Sequence, residues 1–467
     1  MHGISRSLPF FAKAALVTVA VSSLARAAAA PTSALRPNIL VILTDDQGIA
    51  DYSGAGTKDL HTPNIDRLHR EGVSFRNFRA NSCVCSPTRA ALLTGCNSDR
   101  AGVPGVIRGD PAISWGWLAQ SAVTLPQALQ PAGYHSALIG KWHLGLEAPN
   151  LPNARGFDFF QGFLGDMMND YWTHLRNGKN YMRRDTETIE PPGHATDLFT
   201  DWSCAYLEER AREAPRPFFL LLAYNAPHDP VQPPPEWLAK VRARAPALPE
   251  NRAKLVALIE HLDAGLGRVL ATLDRTGLAS RTLVIFTSDN GGELDQAANN
   301  RPWRAGKRHM YEGGLRVPFA ARWPGQIQPG TTSDTPAQTM DIFATACEVA
   351  GVTPPSGIDA VSLLPALRGH SPPPDAPSRE FYFVCREGSL RNPALSGGKT
   401  IDAAIRGDWK ILQDSPTAPR ELYNLRADPQ ETTTLAGQEP KVFAEMAAVL
   451  MKHVQRGGAV PWQPPTK

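Results

Sequence analysis

Apolar runs punctuate the chain. Residues 37–44, 218–223 and 282–288 are almost continuously apolar, with no alternation of wet and dry positions. Runs of this length bounded by turn residues predict strands buried on both faces, as in a parallel sheet. Residues 134–139 predict a further strand, and residues 71–75 another that leads toward Cys83. Helical signals fall between them. Residues 61–68 read as a capped helix. Ser86 is a good N-cap and Pro87 suits the first helical position, so a helix is expected there, continued by Ala90, Ala91, Leu92 and Leu93. Residues 124–129 predict a helix stopped by Pro131-Ala132-Gly133, and residues 337–349 predict an amphipathic one. A Gly/Pro/Ser-rich stretch at 369–377 reads as a linker. Beyond it come short strands at 379–385, 403–412 and 421–425, then a closing amphipathic helix at 439–456. The expected fold is α/β: a large mixed sheet between helices over residues 36–368, then a smaller C-terminal α+β unit over 378–467.

Composition narrows the function classes. Charged residues make up 20% of the chain, hydrophobic residues 42%, and the net charge is +3. That balance is too weak to make nucleic acid or an acidic membrane the expected partner. At the N-terminus, Arg6, the apolar run 9–21 and the small residues 25–30 form a signal-peptide pattern over residues 1–29, with cleavage after Ala27 or Ala29. No later stretch is apolar for long enough to span a bilayer. The expected product is therefore exported, to a periplasm or outside the cell, without stable membrane insertion. Such a compartment permits disulfides among Cys83, Cys85, Cys96, Cys204, Cys347 and Cys385, but six cysteines in 467 residues set no framework whose pairing can be read.

Candidate chemistry gathers at strand ends. Asp45-Asp46-Gln47-Gly48 follows the first buried run, and Asp289-Asn290-Gly291-Gly292 follows the last. In open α/β sheets ligands collect beyond the carboxyl ends of strands. If those two strands are neighbours, Asp45, Asp46, Asp289 and Asn290 meet, and four oxygen donors without a histidine favour Ca²⁺ or Mg²⁺ over zinc. Three carboxylates around one ion call for basic groups close by. Cys85 stands at the expected helix N-terminus, where backbone N–H groups favour an anion and acidify a thiol. Arg89, one turn into the helix, can lean back toward the same point. Lys141 and His143 alternate along a strand end and so are expected on one side, where an ammonium and an imidazole suit an anionic ester. Glu312 and Arg316 read as a structural ion pair.

Cys85-Ser86-Pro87-Thr88-Arg89, followed by Leu93-Thr94-Gly95, resembles the signature of the type I, formylglycine-dependent sulfatases of the alkaline phosphatase superfamily. Further stretches are similar to that family and stand in its order: Asp45-Asp46, Gly140-Lys141-Trp142-His143-Leu144-Gly145, Ala226-Pro227-His228, Asp289-Asn290, and Lys307 ahead of Glu312-Gly313-Gly314-Leu315-Arg316-Val317-Pro318. Thr88 departs from the more usual serine, and Cys96 from an arginine that often ends the extended signature. The resemblance implies an alkaline-phosphatase-like sheet. It also implies conversion of Cys85 to formylglycine (3-oxoalanine) by a formylglycine-generating enzyme, and Ca²⁺ rather than Mg²⁺, with the modified Cys85 as a further ligand. It implies hydrolysis of a sulfate ester, a sulfated carbohydrate or aryl sulfate. In that scheme one hydroxyl of the aldehyde hydrate attacks sulfur, and Arg89, Lys141 and Lys307 stabilise the sulfuryl oxygens. His228 protonates the leaving oxygen and His143 assists the second hydroxyl. Residues 155–184 are the expected specificity region, where Phe157, Phe160, Asp166, Asn169, Asp170, Tyr171, Trp172, His174 and Arg176 offer the aromatic faces and polar edges that suit a sugar. Two other functions fit the same residues: a phosphodiesterase or phosphonate monoester hydrolase of the superfamily, and an exported non-catalytic binder of calcium or sulfated glycans in which Cys85 stays a thiol.

Overall fold

One mixed sheet of ten strands organises the computed structural model, which describes Pro9 and residues 36–464 apart from 214–215, 372–377, 389–398 and 416. The signal-peptide pattern, Pro9 aside, and most of the 369–377 linker lie outside the described residues. In chain order the strands are β1 (Asn38–Thr44), β2 (Val73–Phe75), β3 (His135–Lys141), β4 (Phe159–Phe163), β5 (Met182–Arg184), β6 (Glu187–Thr188), β7 (Phe218–Ala223), β8 (Thr282–Ser288), β9 (Phe319–Arg322) and β10 (Thr331–Ser333). Across the sheet they run β10-β2-β9-β8-β1-β7-β3-β4-β5-β6. The centre is parallel: β1 pairs with both β7 and β8, β7 with β3, and β3 with β4. Register places Leu43 beside both Ala223 and Thr287, so three strands finish at one edge.

Successive residues of β1 serve opposite layers, as strand geometry requires. Ile39, Val41 and Leu43 pack with Leu92, Leu129 and Phe343 on one side. Leu40 and Ile42 pack with Phe199, Leu258, Leu262 and Leu266 on the other. The second layer is covered by helices Ala195–Arg212 and Glu250–Arg275, neither of which was among the elements read from the sequence. Other boundaries moved. Glu71 closes helix Pro63–Glu71 instead of opening a strand, and it takes Arg67 as an i,i+4 partner at 2.8 Å. Ala337 and Gln338 form a short parallel pair with Phe78 and Arg79, so the following helix is Asp341–Ala350. The Asp341 carboxylate accepts from Gln338 N at 2.8 Å and fixes that turn.

The C-terminal part is an antiparallel sheet in the order Glu380–Glu387, Lys399–Arg406, Trp409–Gln413, Glu421–Asn424. The single strand expected at 403–412 is thus two, with Gly407 at φ +60° in the turn between them. Helix Pro440–Gly457 covers one face through Met446, Val449 and Leu450. The other face packs Phe381, Phe383 and Leu412 against Cys83, Val84, Met310 and Leu315, directly behind the segment that leads into Cys85. A buried charge network ties the small sheet to the large one. Glu312 takes Arg79 and Arg316 at 2.6 Å each and Lys410 at 3.1 Å, and Lys410 also meets Glu431 at 2.8 Å. The expected Glu312–Arg316 pair is therefore one edge of a larger cluster. No disulfide forms among the six cysteines, and among the described residues no helix is long and apolar enough to cross a membrane.

Candidate active site

The helix that carries Cys85 spans Cys85–Thr94, with Val84 in extended conformation as its N-cap. It starts earlier than the Ser86 cap would require, because the Ser86 hydroxyl is committed elsewhere and accepts from Ile107 N at 3.1 Å. Pro87 then sits third in the helix, where its missing N–H has no intrahelical partner to lose. The Thr88 hydroxyl accepts from Ser82 N at 3.0 Å and fastens the helix to the segment that precedes it. Cys85 is thereby held, buried, at the helix N-terminus.

Neighbouring β1 and β8 deliver two carboxylate segments to this point. Asp45 Oδ1 lies 3.4 Å from Cys85 Sγ, and Asp45 Oδ2 accepts from Lys141 Nζ at 2.5 Å. Asp46, at φ +66°, turns its side chain back toward β8. It accepts from Lys307 Nζ at 2.6 Å and from Asn290 Nδ2 at 2.7 Å, and its own N–H donates to Asp289 Oδ1 at 3.2 Å. Arg89 reaches back from the helix and donates to Asp289 Oδ2 through Nε at 3.0 Å and Nη2 at 2.7 Å, and to the Lys141 carbonyl at 3.1 Å. His228 Nε2 lies 3.1 Å from Lys307 Nζ and 3.6 Å from Asp46 Oδ2. Residues separated by more than 240 positions thus converge on one buried pocket. The backbones that carry Asn290 and Lys307 cross in close contact. A Cβ on Gly291 would stand 2.0 Å from the Gly313 carbonyl oxygen, and one on Gly313 would stand 2.3 Å from that of Ala305.

The pocket's electrostatics correct one expectation and sharpen two. The Cys85 thiol is pushed up, not acidified: burial disfavours the thiolate and Asp45 opposes it further, which outweighs the helix terminus. His228 is brought down to about 3 by burial and by the Lys307 ammonium, so its imidazole is neutral, with Nδ1 donating to the Asp229 carbonyl at 2.6 Å and Nε2 accepting from Lys307. His143 is likewise held well below the usual histidine range by burial and Lys141. Strand alternation does not reach it, since β3 ends at Lys141 and His143 has φ +59°. Its Nε2 donates to the Ile107 carbonyl at 2.9 Å, which leaves Nδ1 a buried acceptor with no hydrogen-bond partner. Burial would raise the Asp46 carboxyl, yet the Lys307 ammonium, with its hydrogen bond and that of Asn290, holds it below the ordinary range. Burial and Asp45 push Asp289 up to about 6.

The donor set fits a hard cation. Ligating atoms of Asp45, Asp46, Cys85 and His228 lie within 4.8 Å of one another. Asn290 Oδ1 is buried and accepts no hydrogen bond, an arrangement that costs free energy unless a cation faces it. Three carboxylates balance Arg89, Lys141 and Lys307, so a divalent ion would turn the pocket net positive, which suits an anionic ester. A second cluster, His194, Asp197 and His261, has comparable spacing. There His194 accepts from Thr196 N through Nδ1 at 3.2 Å and donates to the Gln232 carbonyl through Nε2 at 3.0 Å, so it has no lone pair left for a metal.

The expected specificity region divides. Phe157 and Phe160 are buried in the core. Tyr171 is buried too, and its hydroxyl braces the His228 loop by donating to the carbonyls of Asn225 at 2.7 Å and His228 at 3.0 Å. Trp172 is 46% exposed, and Asp166 and Arg176 line a cleft beside His143. Ile107 and Arg108, from the loop after the Cys85 helix, also border that cleft. They stand in no motif and carry no periodic signal, so sequence reading had nothing to find them by.

The family described as Sulfatase matches residues 37–352, and that described as N-sulphoglucosamine sulphohydrolase, C-terminal, matches residues 303–457. The chain belongs to the sulfatase family. The N-acetylgalactosamine-6-sulfatase of Homo sapiens is 33% identical over 353 residues, which cover 71% of this chain and 66% of that protein. A sulfatase of Formosa agariphila is 28% identical over 504 residues, covering 92% and 90%. The crystal structure of Ps i-CgsB in complex with k-i-k-neocarrahexaose matches with a TM-score of 0.80 at 28% identity, over 90% of this chain and 93% of that one. The chain thus spans just under two thirds of the human relative's length and about nine tenths of the other two. Its mixed sheet between helices, with a small antiparallel sheet behind, is the expected alkaline-phosphatase-like architecture.

Proposed function

We propose that this protein hydrolyses a sulfate ester of a carbohydrate, with water, to an alcohol and inorganic sulfate. The observation that carries the reading is the convergence of Asp45, Asp46, Asp289 and Asn290 with Arg89, Lys141 and Lys307 around Cys85. A formylglycine hydrate made from Cys85 would supply the oxygen nucleophile, and a Ca²⁺ held by Asp45, Asp46, Asp289, Asn290 and the modified residue 85 would supply positive charge against the sulfate oxygens. Lys141 and Lys307 line the same pocket as fixed ammonium groups and lower the cost of charge gathering on the sulfuryl oxygens. Arg89 acts chiefly by position: its two bonds to Asp289 and one to the Lys141 carbonyl hold a carboxylate and a strand end in register. The departing alkoxide needs a proton. With His228 neutral and accepting from the Lys307 ammonium, the His228–Lys307 pair, not the imidazole alone, holds that proton. His143 keeps its Nδ1 lone pair free to take a proton from a hydroxyl at residue 85 in the step that frees sulfate. The names of the relatives, an N-acetylgalactosamine-6-sulfatase and a protein held with a neocarrahexaose, support a sulfated saccharide as substrate. The N-terminal pattern supports export to a periplasm or outside the cell, and the Cys85 signature supports maturation by a formylglycine-generating enzyme. Turnover of an aryl sulfate against an aryl phosphate diester tests the reaction class. The sulfate is expected to be the faster substrate, and a preference for the diester would reassign the protein to phosphoester chemistry.

A further inference from the structure

A cleft of about 210 Å³ shares His143 with the proposed reaction centre and extends away from it. Its charged lining is Arg108, Arg176, Lys179, Asp110 and Asp166. Two of the cations come from one small hairpin, Leu175–Arg176 paired with Lys179–Asn180, in which Arg176 and Lys179 stand directly opposite each other. The turn between them is Asn177 at φ +50° and Gly178 at φ +73°, the left-handed pair that makes the tightest hairpin connection. Asn169 pins it: its Oδ1 accepts from Asn177 N at 2.5 Å, and its N–H donates to the Leu175 carbonyl at 2.8 Å. The hairpin therefore holds its side chains at fixed stations on the rim.

Like charges placed directly opposite destabilise a strand pair. Arg176 is compensated, since it donates to Asp166 at 3.0 and 2.9 Å, and the same carboxylate takes Arg108 at 3.2 Å. Arg108 is shared further with Glu387 at 2.8 Å. Asp110 is spent on a turn, where it accepts from Ala112 N at 2.9 Å. Lys179 is exposed and has no carboxylate partner among the described residues. A rigid turn thus holds an uncompensated ammonium against a second cation, in a cleft that opens beside the reaction centre. Stability does not explain that arrangement, but an anion arriving with the substrate does.

We propose that Lys179, with Arg176 beside it, binds a second anionic group of the substrate, a carboxylate or another sulfate ester on the same or the adjoining sugar, while the scissile sulfate sits at Cys85. This rests on the sulfatase reading and names the substrate class within it: a saccharide carrying at least two negative charges. A simple aryl sulfate fills the reaction centre and leaves Lys179 unused.

Wild type and Lys179→Ala are compared by initial rates on p-nitrophenyl sulfate, a monosulfated neutral disaccharide, the same disaccharide with a second sulfate, and a monosulfated disaccharide containing a uronate. The expected result is a KM raised about tenfold on a doubly charged substrate with kcat kept, little change on the two singly charged ones, and recovery in Lys179→Arg. Whether the disulfated or the uronate substrate responds identifies the anion. An equal change on all four substrates, or none on either doubly charged one, overturns the subsite. The sulfatase reading fails separately, by absence of sulfate release from every substrate in wild type. The subsite is then read by equilibrium dialysis of the same saccharides: weaker binding of a doubly charged one to Lys179→Ala supports it, and equal binding overturns it.

Discussion

The Asn290 side chain is used unequally at its two ends. Its Nδ2 donates to Asp46 Oδ1 at 2.7 Å and to the Gly291 carbonyl at 2.9 Å, while Oδ1 is buried with no donor. A buried acceptor left unpaired costs about 1–3 kcal/mol, and a bound cation would recover it. Asn290→Ala is therefore expected to weaken Ca²⁺ binding about tenfold or more, read as the concentration at which Ca²⁺ raises the melting temperature. An unchanged Ca²⁺ response would remove Asn290 from the ligand set. Asp45, Asp46, Asp289 and Asn290 were legible in the sequence because the same pattern, a buried run followed by oxygen donors and a glycine turn, occurs twice, and Cys85 because it opens a helix signal. The protonation states were not. The Cys85 thiol follows its burial and the Asp45 charge more than its helix terminus, and His228 answers to Lys307, a neighbour 79 positions away.

At the scale of elements, β1, β7 and β8 announce themselves because burial on both faces leaves no room for polar residues. Helix Glu250–Arg275 is harder to read, since it buries Arg252, Glu260, His261 and Asp263 along with its leucines and so blurs the amphipathic stripe. Helix Ala195–Arg212 is capped by His194, an unusual residue for that role. The cap works only with a neutral ring, because Nδ1 accepts from Thr196 N–H and Nε2 donates to the Gln232 carbonyl. Burial lowers this histidine from 6.5 to about 4. Above pH 6.5 both folded and unfolded chains hold it neutral, and as pH falls toward 4 only the unfolded chain takes up the proton, so stability is lost across that window. At pH 5 the loss from this residue is about 2 kcal/mol. His194→Asn, which caps without titrating, should flatten the fall in urea midpoint between pH 7 and pH 5. An equally steep fall in the variant would show that the cap is not a source of acid sensitivity.

For the whole molecule, the small C-terminal sheet supports the wall from which Cys85 emerges. Phe383 and Leu412 pack against Cys83 and Val84, and the Ser82 hydroxyl donates to the Val384 carbonyl at 2.8 Å. Its strands were largely legible, but its docking was not, because Lys410 and Glu431 give no sign in sequence that they will meet Glu312 in a fully buried cluster. Lys410→Met leaves Glu312 and Glu431 short of a cation and is expected to cost about 3 kcal/mol in chemical denaturation. A neutral result would mean that the Lys410 ion pairs do not hold the sheet in place.

The proposed reaction places sulfate ester cleavage at Cys85 and the oxygen donors around it. Inorganic sulfate released from a sulfated saccharide, quantified by ion chromatography for wild type and Cys85→Ala side by side, tests it most directly. Wild type is expected to release sulfate in step with the freed hydroxyl, and the variant none above background. Equal release from Cys85→Ala, or wild-type protein that frees no sulfate from any ester while remaining folded and Ca²⁺-bound, would contradict it.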